Sequence, residues 1–459
     1  MVTLVTARLV LARDRWERDH GFVLSGSRIV DAGPPEELAA SHPGEPREDW
    51  GDVAVVPGCV NAHAHSFQVL LRGFGDDLSF MQWRDGVLYP FSERLDREAI
   101  RTGALLDFAE MVRAGITTVV DFFYLNDRGN ENAMAVIEAA REVGLRIVLA
   151  RAMYDWSGAP TRYQEPTDLA VRNVRELHAE VRGDPWAFVQ PAPHSIHAAS
   201  PGMIRAGADL AEELDTPFHV HVAEGSYERD LSLERHGLSP VRFLDSLGAL
   251  SPRALLVHCV WVDDDDLAAI AERDATVVHN PGANAFLGDG IAPVGRMLER
   301  GIRVCLGTDG GCTNSRQSVF DEMRMAALLA KAVAADARVL TAEQALLMGT
   351  AAGGEALRLP IGTIGPDRAA DLVVLDLGSL SLQPEATAEK QVVYAMQPDA
   401  VARVLVGGEV VAERGRPTRV DLDELRARVA AATAGWHRPD GPAPPLPGGT
   451  PAAHRSIGS

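Results

Sequence analysis

The chain has 459 residues, 46% of them hydrophobic and 24% charged, with a formal net charge of −20. That is globular composition at a length too great for one small domain, and it suits an α/β barrel of roughly 250–350 residues carrying an appended unit. The acidic balance excludes a nucleic-acid partner, because tracking phosphates requires a basic face.

Residues 1–54 hold LVTARLVLA and GFVLSGSRIVDAG, short apolar runs separated by Gly turns, which read as strands of a small all-β unit. The opening run lacks a basic leader and a cleavage site. No apolar run reaches the roughly 18–20 residues that a membrane span requires. The cysteines are Cys59, Cys259, Cys305 and Cys312, without a C-x-x-C pair. Free buried thiols, no membrane partner and a cytoplasmic location are therefore expected.

Residues 55–364 alternate β-branched runs with helical stretches. The runs are VAVVPGCVNAHAH (53–65), ITTVVDF (116–122), LRIVLAR (145–151), WAFVQPAPH (186–194), PFHVHVAE (217–224), ALLVHC (254–259), ATVVHN (275–280) and RVCLGTD (303–309). Near-continuous apolar strands bury both faces, as parallel strands do, and eight of them alternating with helices predict a (β/α)8 TIM-type barrel. Asp96-Arg97-Glu98 opens a helix that closes at Gly115, and Asn132 to Val143 form one that closes at Gly144. The acidic run Asp263–Asp266 reads as a solvated helix start rather than a calcium loop.

Residues 365–420 return to short strands with Gly turns, ADLVVLDL and ARVLVGGEVVAERG. Both chain ends are expected to meet in one small β-sandwich domain. A C-terminal helix over 421–436 and a disordered Pro/Gly-rich tail over 437–459 complete the reading.

The C-terminal ends of parallel barrel strands form the catalytic face. His63-Ala64-His65 ends the first strand, and residues i and i+2 of a strand point the same way. His221 and Glu224 end the fifth strand, His258 the sixth and Asp309 the eighth. A lone H-x-H is most often two polar residues at a loop; the joint placement at strand ends is what signals a site. Three neutral imidazoles and a carboxylate suit one divalent ion, zinc or iron, with a position left for water. Such an ion lowers the pKa of water from 15.7 to about 7, so hydroxide is available at neutral pH. The lysines are Lys331 and Lys390, neither on a predicted strand, which excludes a two-metal site bridged by a modified strand lysine.

The strings PGCVNAHAHSFQVLLRG, HVHVAE, HCVWVDDDDL, HNPGANAFLGDGIAPV, LGTDGG and IGTIGPDRAADLVVLD resemble the amidohydrolase superfamily. The resemblance covers about residues 1–420 and is nearest the deaminase branch with the adenosylhomocysteine and guanine deaminases. It implies His63, His65 and His221 as metal ligands. Asp309 would be the fourth ligand and proton acceptor, Glu224 the proton shuttle, and His258 a hydrogen-bonding partner of the attacking oxygen. His219 ranks behind His221, which has the family spacing to Glu224. Trp83, Gln68, His194, His197 and Arg162 are the expected substrate contacts; Arg151, like Arg162, could bind a carboxylate or ribose. The implied reaction is hydrolytic loss of ammonia from an amino-substituted purine, pterin, pyrimidine or triazine, and the fold implies a homo-oligomer, dimer or tetramer.

Three rival readings stand. HAHSFQ, APHS and NAFLGDGI lean toward formimidoylglutamate deiminase, but His197 stands where that family has an arginine for the substrate carboxylate. A triazine-type hydrolase would keep the site and expel another leaving group. A non-catalytic scaffold would have lost ligands, and here none is lost. No G-x-S-x-G elbow, P-loop or C-x-x-C deaminase motif competes.

Overall fold

A computed structural model describes residues 2–436; the tail 437–459 lies outside the described residues. Eight parallel strands form the barrel: β1 (Cys59–His65), β2 (Ile116–Phe123), β3 (Arg146–Met153), β4 (Ala187–Pro193), β5 (Phe218–Val222), β6 (Ala254–His258), β7 (Thr276–His279) and β8 (Val304–Leu306, resuming at Asp309–Gly310). Strands β1 to β4 pair in sequence order, as do β5 to β8. A bridge between Ser195 and His221 joins β4 to β5, and Asp309 and Gly310 pair with Ala64 and His65 to close the ring. Every residue of β1, β2 and β3 is buried, as parallel strands walled by helices require.

The helices end where their punctuation dictates. Asp96 caps Arg97–Arg113 by accepting from the Ala99 amide at 2.8 Å, and Gly144, at φ +84°, stops Glu131–Val143. Asp263 caps Asp264–Glu272 in a reciprocal box with Asp266. Asp266 is not solvated as expected: it is buried against the Ser239 hydroxyl.

Both chain ends build the small β domain as one continuous ten-stranded sheet. Arg368–Ala369 pairs with Arg28–Gly33, while Leu372–Asp376 pairs with Val53–Pro57, several strands away in the same sheet. Adjacent segments can reach both places only if the sheet doubles back, and it does so around Val10, Phe22, Ile29, Val55, Leu372 and Val374. The apolar run 53–65 is therefore two strands, Val53–Pro57 in this sheet and β1 in the barrel, broken at Gly58. A Cβ on Gly58 would lie 2.1 Å from the Thr117 hydroxyl, so the break admits no side chain. A buried ion pair between Arg146, at the start of β3, and Asp371 ties the sheet to the barrel floor. The helix Leu422–Ala432 then packs back on Arg97–Arg113. Among the described residues no helix is long and apolar enough to cross a membrane, and all four cysteines are buried and free.

Candidate active site and metal centre

Strand alternation sends His63 and His65 into the barrel mouth together, where the Nε2 atoms of His63 and His221 lie 3.2 Å apart. Asp309 Oδ1 lies 3.6 Å from His63 Nε2 and 3.5 Å from His65 Nε2. His65 and His221 each use Nδ1–H on a backbone carbonyl, of Phe122 at 2.6 Å and of His194 at 2.9 Å. That fixes the tautomer and leaves both Nε2 lone pairs facing inward. Burial, reinforced by neighbouring histidines, holds His221 well below its ordinary pKa and His65 down at about 4, so both are neutral donors.

Two imidazole lone pairs at 3.2 Å repel unless a cation lies between them. The 3.2–3.6 Å separations are also near the roughly 3.3 Å expected between ligand atoms of a tetrahedral ion with bonds of ~2.0–2.1 Å. These residues fit a divalent metal. Burial would raise the Asp309 carboxyl, but His63, His258 and His65 around it outweigh that and hold it below the usual carboxylate range.

His258 is set the opposite way. Its Nδ1 faces the amide nitrogens of Asn284 at 2.9 Å and Asn280 at 3.3 Å, both donors, so its proton sits on Nε2. That Nε2 lies 3.5 Å from Glu224 Oε1 and 3.9 Å from Asp309 Oδ2. His258 thus bridges the two carboxylates; with His63 and Asp309 it forms a second group close enough to hold an ion, but a protonated Nε2 has no lone pair to offer one. Burial, with Asp289, Asp309 and Glu228 nearby, raises Glu224 well above the usual carboxylate range, so it is poised as an acid. The strand ends carry backbone strain: Ala223, His258, Cys259 and Asp309 all have positive φ, from +49° to +80°. At Gly307 a Cβ would lie 2.8 Å from the His63 Cβ, so β8 can pass close behind the ligand only without one.

The pocket above this cluster, about 570 Å³ including its mouth, is lined by Gln68, Trp83, His194 and His197, as the sequence predicts. Gln68 donates to Tyr124 at 2.6 Å, and His197 Nδ1 lies 3.8 Å from buried Glu228. Arg162 is a correction: it does not line the pocket, because its guanidinium is spent on Asp127 and the Ser92 carbonyl. Arg151 is likewise structural, wholly buried in a two-point pair with Glu165 at 2.7 and 3.0 Å. His219 lies out of the metal cluster, its Nε2 2.6 Å from Gln190.

The sequence reading missed the aromatic wall. Tyr124 and Tyr154 immediately follow β2 and β3, so the strand-end rule was enough to find them. Phe80, Arg84 and Tyr89 come from a cover of short helical turns over 66–92, which has no periodicity to read.

Burial also sets an acid limit on stability. His279, at the end of β7, is pushed down to about 3 by desolvation. A folded pKa below the unfolded value of 6.5 gives stability that is complete above pH 6.5 and lost as pH falls toward 3. Between pH 6.5 and 4, the metal-free protein should lose about 3 kcal/mol more in urea unfolding than its His279→Leu variant. Equal losses would remove His279 from the account.

The amidohydrolase family model matches residues 54–411. A 5-methylthioadenosine/S-adenosylhomocysteine deaminase of Nitratidesulfovibrio vulgaris is 35% identical over 430 residues, covering 93% of this chain and 96% of the relative. The zinc-bound structure of an adenosine deaminase from Xanthomonas campestris superposes with a TM-score of 0.87 at 30% identity, covering 94% and 97% of the two chains. Atrazine chlorohydrolase TrzN of Arthrobacter aurescens, complexed with zinc, has the same fold, with a TM-score of 0.87 at 24% identity over 94% and 99% of the chains.

Proposed function

The chain belongs to the amidohydrolase family, and from that premise we infer that it is a metal-dependent hydrolytic deaminase releasing ammonia from an amino-substituted N-heterocycle. One observation carries the reading: the buried acid Glu224 sits beside His258, at the edge of the His63, His65 and His221 cluster that Asp309 approaches. Ammonia is a poor leaving group until protonated, and an acid held within reach of the reacting carbon answers that need. Relatives in both comparisons are named as deaminases of adenosine-type substrates, which favours ammonia over another leaving group.

We assign His63, His65, His221 and Asp309 as the ligands of one divalent ion, zinc by analogy with the metal in the solved relatives. Bound there, the ion supplies a water whose pKa falls from 15.7 to about 7. Asp309 would take the proton of the attacking water and pass it to the departing amine. His258 would donate its Nε2–H to the attacking oxygen as charge develops on it. Glu224 would protonate the ring nitrogen beside the attacked carbon and be restored by the remaining proton of the attacking oxygen when the carbonyl forms. Gln68, Trp83, His194 and His197 frame the ring among the pocket tyrosines, with flat aromatic faces that favour a planar substrate.

Ammonia release by metal-loaded protein tests the reading against amino-purines, pterins, pyrimidines, triazines, nucleosides and formimidoylglutamate. Turnover of a heteroaromatic amine is expected. Turnover of formimidoylglutamate alone would give His197 the work of an arginine. Release of chloride without ammonia would move the protein to the triazine hydrolases.

A further inference from the structure

Among the described residues Arg84 is the only lysine or arginine that lines the pocket. It opens a π-helical turn, Arg84–Leu88, in the cover over the barrel mouth; such turns cluster at functional sites. Its guanidinium is held from three directions. Nε and one terminal nitrogen bond both Asp85 oxygens, at 2.7 and 3.2 Å, and its carbon lies 5.4 Å from the Tyr89 ring and 5.5 Å from the Trp156 ring. The other terminal nitrogen, Nη1, has no hydrogen-bond partner among the described residues. An oriented guanidinium with two unspent N–H groups, at the wall of an aromatic pocket, is a fixed donor awaiting an acceptor.

The charge around it identifies that acceptor. Arg84 is already neutralised by Asp85, and the same pocket carries Glu224 and Asp309. Arg84 packs on Tyr89 and Trp156 and pairs with Asp85, and forms no ion pair with either of those carboxylates among the described residues. A substrate anion there would add a further negative charge with no new cation to meet it. A neutral carbonyl oxygen would take the free N–H groups without that cost.

Building on the deaminase reading, we propose that Arg84 is a specificity-determining residue that hydrogen-bonds an oxo oxygen on the edge of the ring remote from the departing amine. The substrate class is thereby narrowed to oxo-bearing amino-heterocycles. A site built to bond a substrate oxygen rejects the analogue lacking it, because its own donor is left unpaired.

Two matched pairs test this: isoguanine against adenine, and guanine against 2-aminopurine. The oxo member of at least one pair should be preferred by 30-fold or more in kcat/KM. Arg84→Met should cut that preference to threefold or less, and Arg84→Lys should leave an intermediate value. Metal content and circular dichroism report whether each variant is folded. A preference near unity in the native protein, or one undiminished in folded Arg84→Met, overturns the proposal. Should no purine be deaminated, calorimetric binding of xanthine against hypoxanthine decides it separately. A tenfold preference for xanthine that Arg84→Met abolishes keeps the Arg84 inference while the deaminase reading falls; equal binding, or no binding of either, ends it.

Discussion

Glu224→Gln should lower kcat by about 10³-fold while leaving bound metal and KM nearly unchanged. The replacement keeps the shape of the side chain and removes its acidic proton. His63, His65, His221 and Asp309 are untouched, so metal content by emission spectrometry should stay at one equivalent. Burial and the three acids around it push the Glu224 carboxyl up, toward the protonated form needed to protonate a ring nitrogen. A variant that kept more than a tenth of native kcat would assign the proton transfer elsewhere. His258, 3.5 Å away, would then be the next group to test.

His221→Ala should abolish activity by at least about 10³-fold for a different reason, the loss of the ion that lowers the pKa of water. Metal content should fall well below one equivalent. The melting temperature should stop responding to added zinc, because a ligand at 100 times its Kd stabilises the fold by about 2.7 kcal/mol. His219→Gln is the informative contrast. His219 lies on the same face of β5, yet its Nε2 is bound to Gln190 and lies out of the cluster. It should keep both its metal and its thermal response to zinc. Metal loss in His219→Gln with retention in His221→Ala would exchange the two assignments.

What the sequence carried was whatever follows from strand periodicity. His63 and His65 could be placed together because side chains alternate along a strand, and Asp309 because an apolar run ends there. The same rule reaches Tyr124 and Tyr154, which directly follow β2 and β3. Two errors have physical causes. Arg162 was expected at the substrate, yet a buried guanidinium must first satisfy its own donors, and Asp127 and Ser92 do so. The run 53–65 looked like one strand because hydropathy does not register the steric demand of Thr117 on Gly58. Arg84 was invisible for a third reason. It sits in one-turn helices whose position is fixed by packing over the barrel mouth, not by any local pattern.

The ten-stranded sheet also sets a timetable for synthesis. Its first strands leave the ribosome on the order of 300 residues before Leu372–Asp376, the partner of Val53–Pro57. At roughly 5–20 residues per second that is a wait of about 15–60 s. Throughout it, Val2–Ala12 has its hairpin with Arg15–Ser25, but the edge of Val53–Pro57 stays open. The sheet is therefore completed only near the end of translation, and nascent chains stalled before residue 372 would present an unpaired apolar strand to chaperones or to one another.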